Sequence, residues 1–181
     1  AQSANRLTGL LYLKAEYGQA IQVALPAIQL LKEMGYTKNN DYFNLLTFIG
    51  GCELKLDRPE EADNNFSQVW QGYQQITKSI HSIDSYTSTI VGLVTIVDAY
   101  IQTGYYSEAL EWVDHLEGML QQCRQLPGVR ESYVDKQWAR ICLYRASALE
   151  GLGKKAEAAK AYNQALQTQY AKTGDGKVES S

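Results

Sequence analysis

Gly104-Tyr105-Tyr106-Ser107-Glu108-Ala109 and Gly153-Lys154-Lys155-Ala156-Glu157-Ala158 are the two stretches that decide the fold of this chain. Each has a glycine five residues before an alanine and lies between runs whose apolar residues recur every three or four positions. That spacing gives an α-helix one wet and one buried face, and a glycine is typical of the left-handed residue that ends a helix. Each stretch therefore predicts a tight turn between two antiparallel helices.

Helical periodicity extends over most of the chain and is interrupted by glycine, proline and short polar runs. The interruptions lie at Gly35, 39–41, 57–59, Gly104, 127–128 and Gly153. They divide the sequence into eight helices in four pairs. The predicted helices span about 3–14, 18–34, 41–56, 59–79, 84–103, 107–124, 131–152 and 155–170.

The turns can be superimposed on one another, because each is followed by an alanine at the same phase of the next helix. These residues are Ala20, Ala62, Ala109 and Ala158. Four residues later come Ala24, Phe66, Val113 and Tyr162, and three further come Ala27, Val69, Leu116 and Ala165. A small residue is needed where two antiparallel helices cross, because a larger side chain would hold their backbones apart.

This register resembles the tetratricopeptide repeat, whose second helix carries a small residue, a large aromatic and a small residue at this spacing. Gly50 also falls where that family has its small first-helix residue. The resemblance implies an all-α fold, a right-handed superhelical solenoid of about four antiparallel helix pairs. The repeats would span about 1–36, 37–80, 81–127 and 128–170, which makes 1–170 one repeat domain with a flexible tail at 171–181.

The sequence also departs from the family pattern. The key alanines are 42, 47 and 49 residues apart, whereas the standard repeat has about 34 residues. Ala24 replaces the usual aromatic, and Pro26 lies inside the second helix, where we expect a kink. Asp57 replaces the turn glycine, and Glu53 replaces an aromatic.

The family binds its ligands mainly on a concave surface formed by the first helices. The matching positions here are Asn5, Gly9, Tyr12, Asn44, Thr47, Lys55, Val94, Asp98, Gln102, Arg140, Ser147 and Glu150. Their amides, hydroxyls and charges suit an extended peptide, although a solvated helix face would have the same composition. Asn5 and Gly9 stand where chaperone-binding members need Lys and Asn, so a carboxylate clamp is not expected.

Composition argues against other classes of function. The 17 basic and 20 acidic residues are interspersed and give a net charge of −3, which is untypical of a surface that binds nucleic acid or anionic membrane. Cys52, Cys123 and Cys142 lack metal-ligand spacing and are expected to be buried free thiols. His81 and His115 are the only histidines, and His115 is expected on the outer side of its helix. We therefore expect no catalytic, metal or cofactor site, and packing roles for the three tryptophans.

Two functional interpretations remain open at this point. Long, degenerate repeats resemble those of bacterial signalling proteins, including two-component histidine kinases and helix-turn-helix regulators. This resemblance implies the sensory or interaction segment of a larger protein, and the start at Ala1 favours either a piece of one or a mature form. The alternative is a free-standing adaptor or assembly scaffold. The expected partner is a protein or peptide, with homodimerisation through the array ends as a further expectation. The odd number of cysteines favours a reducing compartment, but export to the periplasm stays open.

Overall fold

The structure is a computed structural model that describes the backbone of residues 2–174 and the side chains of residues 2–168. Within that range the chain is all-α, with eight helices and no strand. The helices are α1 (Gln2–Leu13), α2 (Tyr17–Glu33), α3 (Asn40–Lys55), α4 (Pro59–Ser79), α5 (Ile83–Thr103), α6 (Tyr106–Arg124), α7 (Glu131–Gly151) and α8 (Lys155–Gly174).

The predicted helices are confirmed, and the first seven differ from the observed ones by at most one residue at either end. The last helix is longer than predicted. Because α8 continues to Gly174, residues 171–174 of the expected tail are helical, and residues 175–181 lie outside the described part of the chain. α2 is continuous across Pro26, and the kink expected there stays a prediction.

The helices form two compact units, α1–α4 and α5–α8, which divide between His81 and Ser82. In the first unit α3 packs against both α1 and α2, and α4 packs against α3. In the second unit α7 packs against both α5 and α6, and α8 packs against α7. Each helix pair is therefore packed both within itself and against the other pair of its unit.

The turn inside each helix pair contains a left-handed residue at the same position. The φ angle is 61° at Ala15, 58° at Asp57, 82° at Gly104 and 77° at Gly153. Each of these residues lies five positions before the key alanine of its pair. Glycine adopts this conformation freely, whereas another L-residue pays roughly 1–2 kcal/mol. The four turns thus have one geometry, even where the glycine predicted by the family pattern is missing.

The key alanines lie in the cores of their helix pairs. Ala20, Ala62, Ala109 and Ala158 are each at most 3% exposed, as their proposed place at the helix crossings requires. The aromatic position four residues later varies more. Phe66 is fully buried, but Tyr162 is 36% exposed, because no further described helix covers this side of α8. Its hydroxyl donates a hydrogen bond to Glu150 at 2.9 Å.

Gly50 and Phe66 show how the size of the first-helix residue at a crossing is related to the size of the second-helix residue that it meets. A Cβ atom on Gly50 would lie 2.4 Å from Cε1 of the Phe66 ring, so only glycine leaves room for this phenylalanine. The equivalent residues in the first pair are Thr8 and Ala24, and both are fully buried. A larger residue on the first helix thus accompanies a smaller one on the second. This compensation accounts for Ala24 at a position where the family pattern predicts an aromatic.

Candidate functional site

Asn5 connects the first helices of the first unit. Its Nδ2 atom donates hydrogen bonds to the backbone oxygen of Asp41 at 3.3 Å and to Asp41 Oδ1 at 3.0 Å. Asp41 lies in the first turn of α3, where its negative charge also favours the helix dipole. Asn5 was predicted to lie on the binding face, and in the structure its amide group holds α1 against α3.

Tyr12 is half-buried in an aromatic cluster. Its ring centroid lies 5.6 Å from that of Tyr17 and 6.2 Å from that of Phe48. The same ring covers Gly51, where an added Cβ would meet it at 3.2 Å. Gly9 has a similar close approach to Phe48. The aromatic cluster thus accounts for both Tyr12 and Gly9 by packing.

Thr47 requires a correction, because it is only 7% exposed and cannot form part of an open binding surface. The reason is the central position of α3, which packs against α1, α2 and α4 and buries most of its side chains. Its Oγ1 atom has no hydrogen-bond partner among the described residues. Of the remaining predicted positions on α3, Asn44 is exposed and Lys55 is half-exposed.

In the second unit, α5 and α7 together form a polar face. We use this term for Asp98, Gln102, Arg140 and Tyr144. Gln102 Nε2 donates to Asp98 Oδ2 at 2.6 Å, one helical turn apart on α5. The pKa of Tyr144 is raised by burial and by the negative charge of Asp98, while the positive charge of Arg140 acts in the opposite direction. Side chains from the two helices therefore share one electrostatic environment.

Arg140 belongs to the polar face and also lines an open groove. The groove has a volume of about 380 Å³ and is lined mainly by one side of α7, together with Thr168 of α8. Its α7 lining residues are Ser132, Asp135, Lys136, Ala139, Arg140 and Leu143. Two cations, one acid, hydroxyls and a small apolar floor can contact both the charged and the aliphatic parts of a peptide.

A hydrogen bond within α7 also holds the Arg140 side chain. Its Nη1 atom donates to Gln137 Oε1 at 3.2 Å, and Gln137 is buried. The nearby Tyr133 has its pKa raised to about 12, chiefly by burial and also by Cys123, against the opposing charge of Arg140. The Tyr133 hydroxyl lacks a hydrogen-bond partner within the described part of the chain.

The other predicted positions of the second unit are not among the residues that line this groove. Ser147 and Val94 are half-exposed. Glu150 is exposed, but it accepts the hydrogen bond from Tyr162 described above. The structure thus brings together Asp98, Gln102 and Arg140 among the predicted residues. Tyr144 and Lys136 were missed, although Lys136 and Arg140 are one turn apart on the same helix.

An ion-pair cluster between α6 and α7 was also missed. Arg145 Nη2 lies 2.7 Å from Glu117 Oε2 and 2.9 Å from Asp114 Oδ1. Arg145 and Glu117 are both largely buried by this contact, with 24% of each side chain exposed. The opposite charges lie 28 residues apart for the closer pair, so no local pattern in the sequence could have paired them. They connect the two helix pairs of the second unit.

A comparison with known family models and with curated protein sequences found no match to this chain. The assignment of a function therefore depends on the geometry of the described residues.

The titratable groups outside the polar face mostly show effects of burial. All three cysteines are buried free thiols, as predicted, and burial raises the pKa of Cys52 to about 12, with a further contribution from Glu53. His115 is half-buried rather than on the outer surface, because it packs edge-on against Trp112 with a centroid distance of 5.3 Å. Burial lowers its pKa, and Asp114 and Glu111 act against that shift.

Three other expectations have definite outcomes in the described residues. Trp112 is buried as expected, whereas Trp70 and Trp138 are half-exposed. Among residues whose placement is described, no group of His, Cys, Asp and Glu side chains is arranged to hold a metal ion. None of the described helices is long and apolar enough to span a membrane.

Glu53 is a buried carboxylate whose ionisation lowers the stability of the fold. Burial raises its pKa above the ordinary value of 4.5, the hydrogen bond from Asn65 opposes this, and Glu61 adds to it. Asn65 Nδ2 donates to Glu53 Oε2 at 2.8 Å. Because the folded-state pKa lies above the unfolded one, the folded state binds more protons between the two values. Stability therefore falls as pH rises through that interval.

Proposed function

We propose that this chain is a non-catalytic module of the tetratricopeptide type that binds an extended segment of another polypeptide. In this proposal the helix pairs continue in a right-handed superhelical solenoid, and first helices carry the binding surface. The shared left-handed turns and the buried alanines at equivalent positions support it. So do the contacts of α3 and α7, each of which packs across both helices of the preceding pair in its unit.

The observation that carries the binding proposal is the junction of the polar face with the groove on α7. Arg140 belongs to both. An extended peptide presents backbone amide and carbonyl groups along its length, and these need donors and acceptors at intervals. Gln102, Asp98 and Arg140 supply them, while Ala139 and Leu143 contribute apolar surface in the groove. The volume of about 380 Å³ is large enough for one or two side chains, since small-molecule sites begin at roughly 300 Å³.

Selection from a phage-displayed library of random dodecapeptides would test this binding. Peptides enriched on the intact chain would be synthesised with a fluorophore and titrated by fluorescence polarisation. We expect the double variant Asp98→Ala, Arg140→Ala to weaken binding about tenfold or more, as loss of one charge-assisted contact of ~1.5–3 kcal/mol would do. The matched control removes the exposed ion pair Arg124–Glu131, whose atoms lie 2.6 Å apart, and should bind like the wild type.

Enriched peptides that bind the wild type, the double variant and the control equally would show that the polar face does not bind them. A library that yields no specific peptide would count against peptide binding by this chain altogether.

We further propose that the module is the sensory or interaction segment of a larger bacterial signalling protein, such as a two-component histidine kinase. This proposal has the length and degeneracy of the repeats as its support. Sequencing the complete reading frame from the source genome would test it. A kinase or DNA-binding region in the same frame would support the proposal, and a frame without an output domain would leave a free-standing adaptor instead.

A further inference from the structure

A second groove lies between α6 and α7, and none of the four residues of the polar face lines it. Its volume is about 260 Å³. The lining contains two buried aliphatic side chains and five polar or aromatic ones, which are Gln121, Arg124, Glu131, Asp135 and Trp138. We call it the α6–α7 groove. Asp135 also lines the groove on α7 described above, so the two grooves adjoin at this residue.

Trp138 gives the α6–α7 groove an aromatic wall. The ring of the buried Trp112 packs against Tyr100 and His115, with centroid distances of 6.4 and 5.3 Å. Trp138 is half-exposed instead, and its ring has no such aromatic partner within the described part of the chain. The face of an indole ring is electron-rich and attracts cations more strongly than other aromatic rings do. The groove therefore has a surface that suits a cationic ligand.

The charges of the lining favour a cation as well. Arg124 Nη2 lies 2.6 Å from Glu131 Oε1, so these two charges neutralise each other. The carboxylate of Asp135 then gives the lining a net charge of −1, which removal of both Arg124 and Glu131 would not change. Asp135 and Trp138 are three residues apart on α7 and therefore lie on the same side of the helix. A cation in the groove can contact the ring and the carboxylate together.

Gln121 supplies a hydrogen-bond acceptor from the α6 side. Its Nε2 atom donates to Glu117 Oε1 at 3.4 Å, which leaves the amide oxygen to accept from a ligand. A guanidinium group has five N–H donors in one plane and stacks on aromatic rings, whereas an ammonium group is a compact, strongly hydrated charge. Two acceptor groups beside a flat ring therefore fit arginine better than lysine.

We propose that the α6–α7 groove binds an arginine side chain of a partner polypeptide. The guanidinium group stacks on Trp138 and donates hydrogen bonds to Asp135 and Gln121. The volume is below the roughly 300 Å³ at which small-molecule sites begin and suits a single side chain. A free amino acid would also need a cation for its carboxylate, and Arg124 is already paired with Glu131. This site does not depend on peptide binding by the polar face.

Nuclear magnetic resonance of the ¹⁵N-labelled chain tests the proposal through its three tryptophan indole signals. The probe is a blocked tripeptide with a central arginine between two glycines. We expect it to shift the indole signal of Trp138, which the Trp138→Leu variant assigns. Trp70 is half-exposed on α4 and serves as the internal control. Its signal should stay in place, and a tripeptide with neutral citrulline in place of arginine should shift neither signal.

Single substitutions in the lining should change the affinity in opposite directions. Asp135→Asn should weaken binding of the arginine tripeptide roughly twofold to fivefold, as loss of one partly exposed charge pair does. Arg124→Ala should strengthen it by a similar factor, because Glu131 loses its internal partner and becomes available to the ligand. Glu108→Gln is the matched control for the lost charge, since Glu108 is exposed on α6 and does not line the groove. It should bind the tripeptide like the wild type.

Four outcomes would overturn the proposal. Equal shifts of Trp138 and Trp70 would show a general affinity of the probe for tryptophan. Equal binding of the arginine and citrulline tripeptides would exclude recognition of the charge. Unchanged affinity in Asp135→Asn, with the rest of the spectrum showing the same fold, would remove the carboxylate from the site. Free L-arginine that binds more tightly than the blocked tripeptide would indicate a site for the amino acid itself.

Discussion

Substitution of Gly50 by alanine tests whether α3 and α4 pack as closely as the structure shows. An added Cβ would lie 2.4, 2.7 and 2.9 Å from three carbons of the Phe66 ring, whereas carbon atoms in contact prefer about 3.5–4.0 Å. The ring is fully buried and cannot swing into solvent. Overpacking of this kind costs about 1–3 kcal/mol, and the better helix propensity of alanine offsets up to about 1 kcal/mol. We expect Gly50→Ala to lower the free energy of unfolding by up to about 2 kcal/mol.

Gly118 supplies the matched control for this prediction. It lies in the interior of α6, and an added Cβ would have nothing within 4 Å. Gly118→Ala should therefore raise the free energy of unfolding by up to about 1 kcal/mol through helix propensity alone. Urea unfolding followed by circular dichroism would measure both variants, with the slope of the transition checked for each.

A double-mutant cycle with Phe66→Leu would show whether the ring is responsible. When Phe66→Leu is already present, the cost of Gly50→Ala should fall by about 1 kcal/mol or more, because the two side chains are in direct contact. Gly50→Ala with stability equal to that of the Gly118→Ala protein would refute the reasoning. It would mean that Phe66 has room to move, or that the register of α3 against α4 is wrong.

Other substitutions test the remaining parts of the fold. Ala109→Leu and Ala158→Leu should each cost roughly 1–3 kcal/mol by forcing paired helices apart, and unchanged thermal stability in both would mean that the alanines do not lie at the crossings. Gly104→Ala should cost about 1 kcal/mol through its left-handed backbone, while Ala15→Gly should gain a few tenths to about 1 kcal/mol; shifts in the urea midpoint in the reverse directions would contradict the shared turn geometry. Glu53→Gln should abolish a decrease in stability that the wild type shows as pH rises above 4.5, the ordinary pKa of this group. Urea titrations at several pH values measure this, and parallel profiles for the two proteins would show that Glu53 is not responsible.

The sequence predicts the helices closely because the signals that define them are local. Apolar periodicity and breakers fix the helix boundaries, and the turn at Gly104 depends on a residue that suits a left-handed backbone. Ala15 and Asp57 adopt the same geometry without glycine. The polar run with a proline at 57–59 indicated one of these turns, and the turn near Ala15 was indicated by the key alanine that follows at the same distance.

The candidate site was predicted less completely, because burial and long-range pairing depend on how helices pack. Thr47 and Asp98 looked alike as polar residues on first helices. Thr47 is closed off by the central position of α3, whereas Asp98 remains half-exposed beside Tyr144. The charges of Arg145 and Glu117 carry no local sign of their pairing across the α6–α7 contact. Packing between helices that are distant in sequence therefore decides which of the polar residues can contact a ligand.

Affinity capture from the source cell tests the central claim most directly. The wild-type chain, the Asp98→Ala, Arg140→Ala variant and the Arg124→Ala, Glu131→Ala control would each serve as bait, with captured proteins quantified by mass spectrometry. The account predicts a protein partner that is retained by the wild type and the control and is lost from the polar-face variant. A partner retained equally by all three would contradict it, because binding would then use a different surface of the chain.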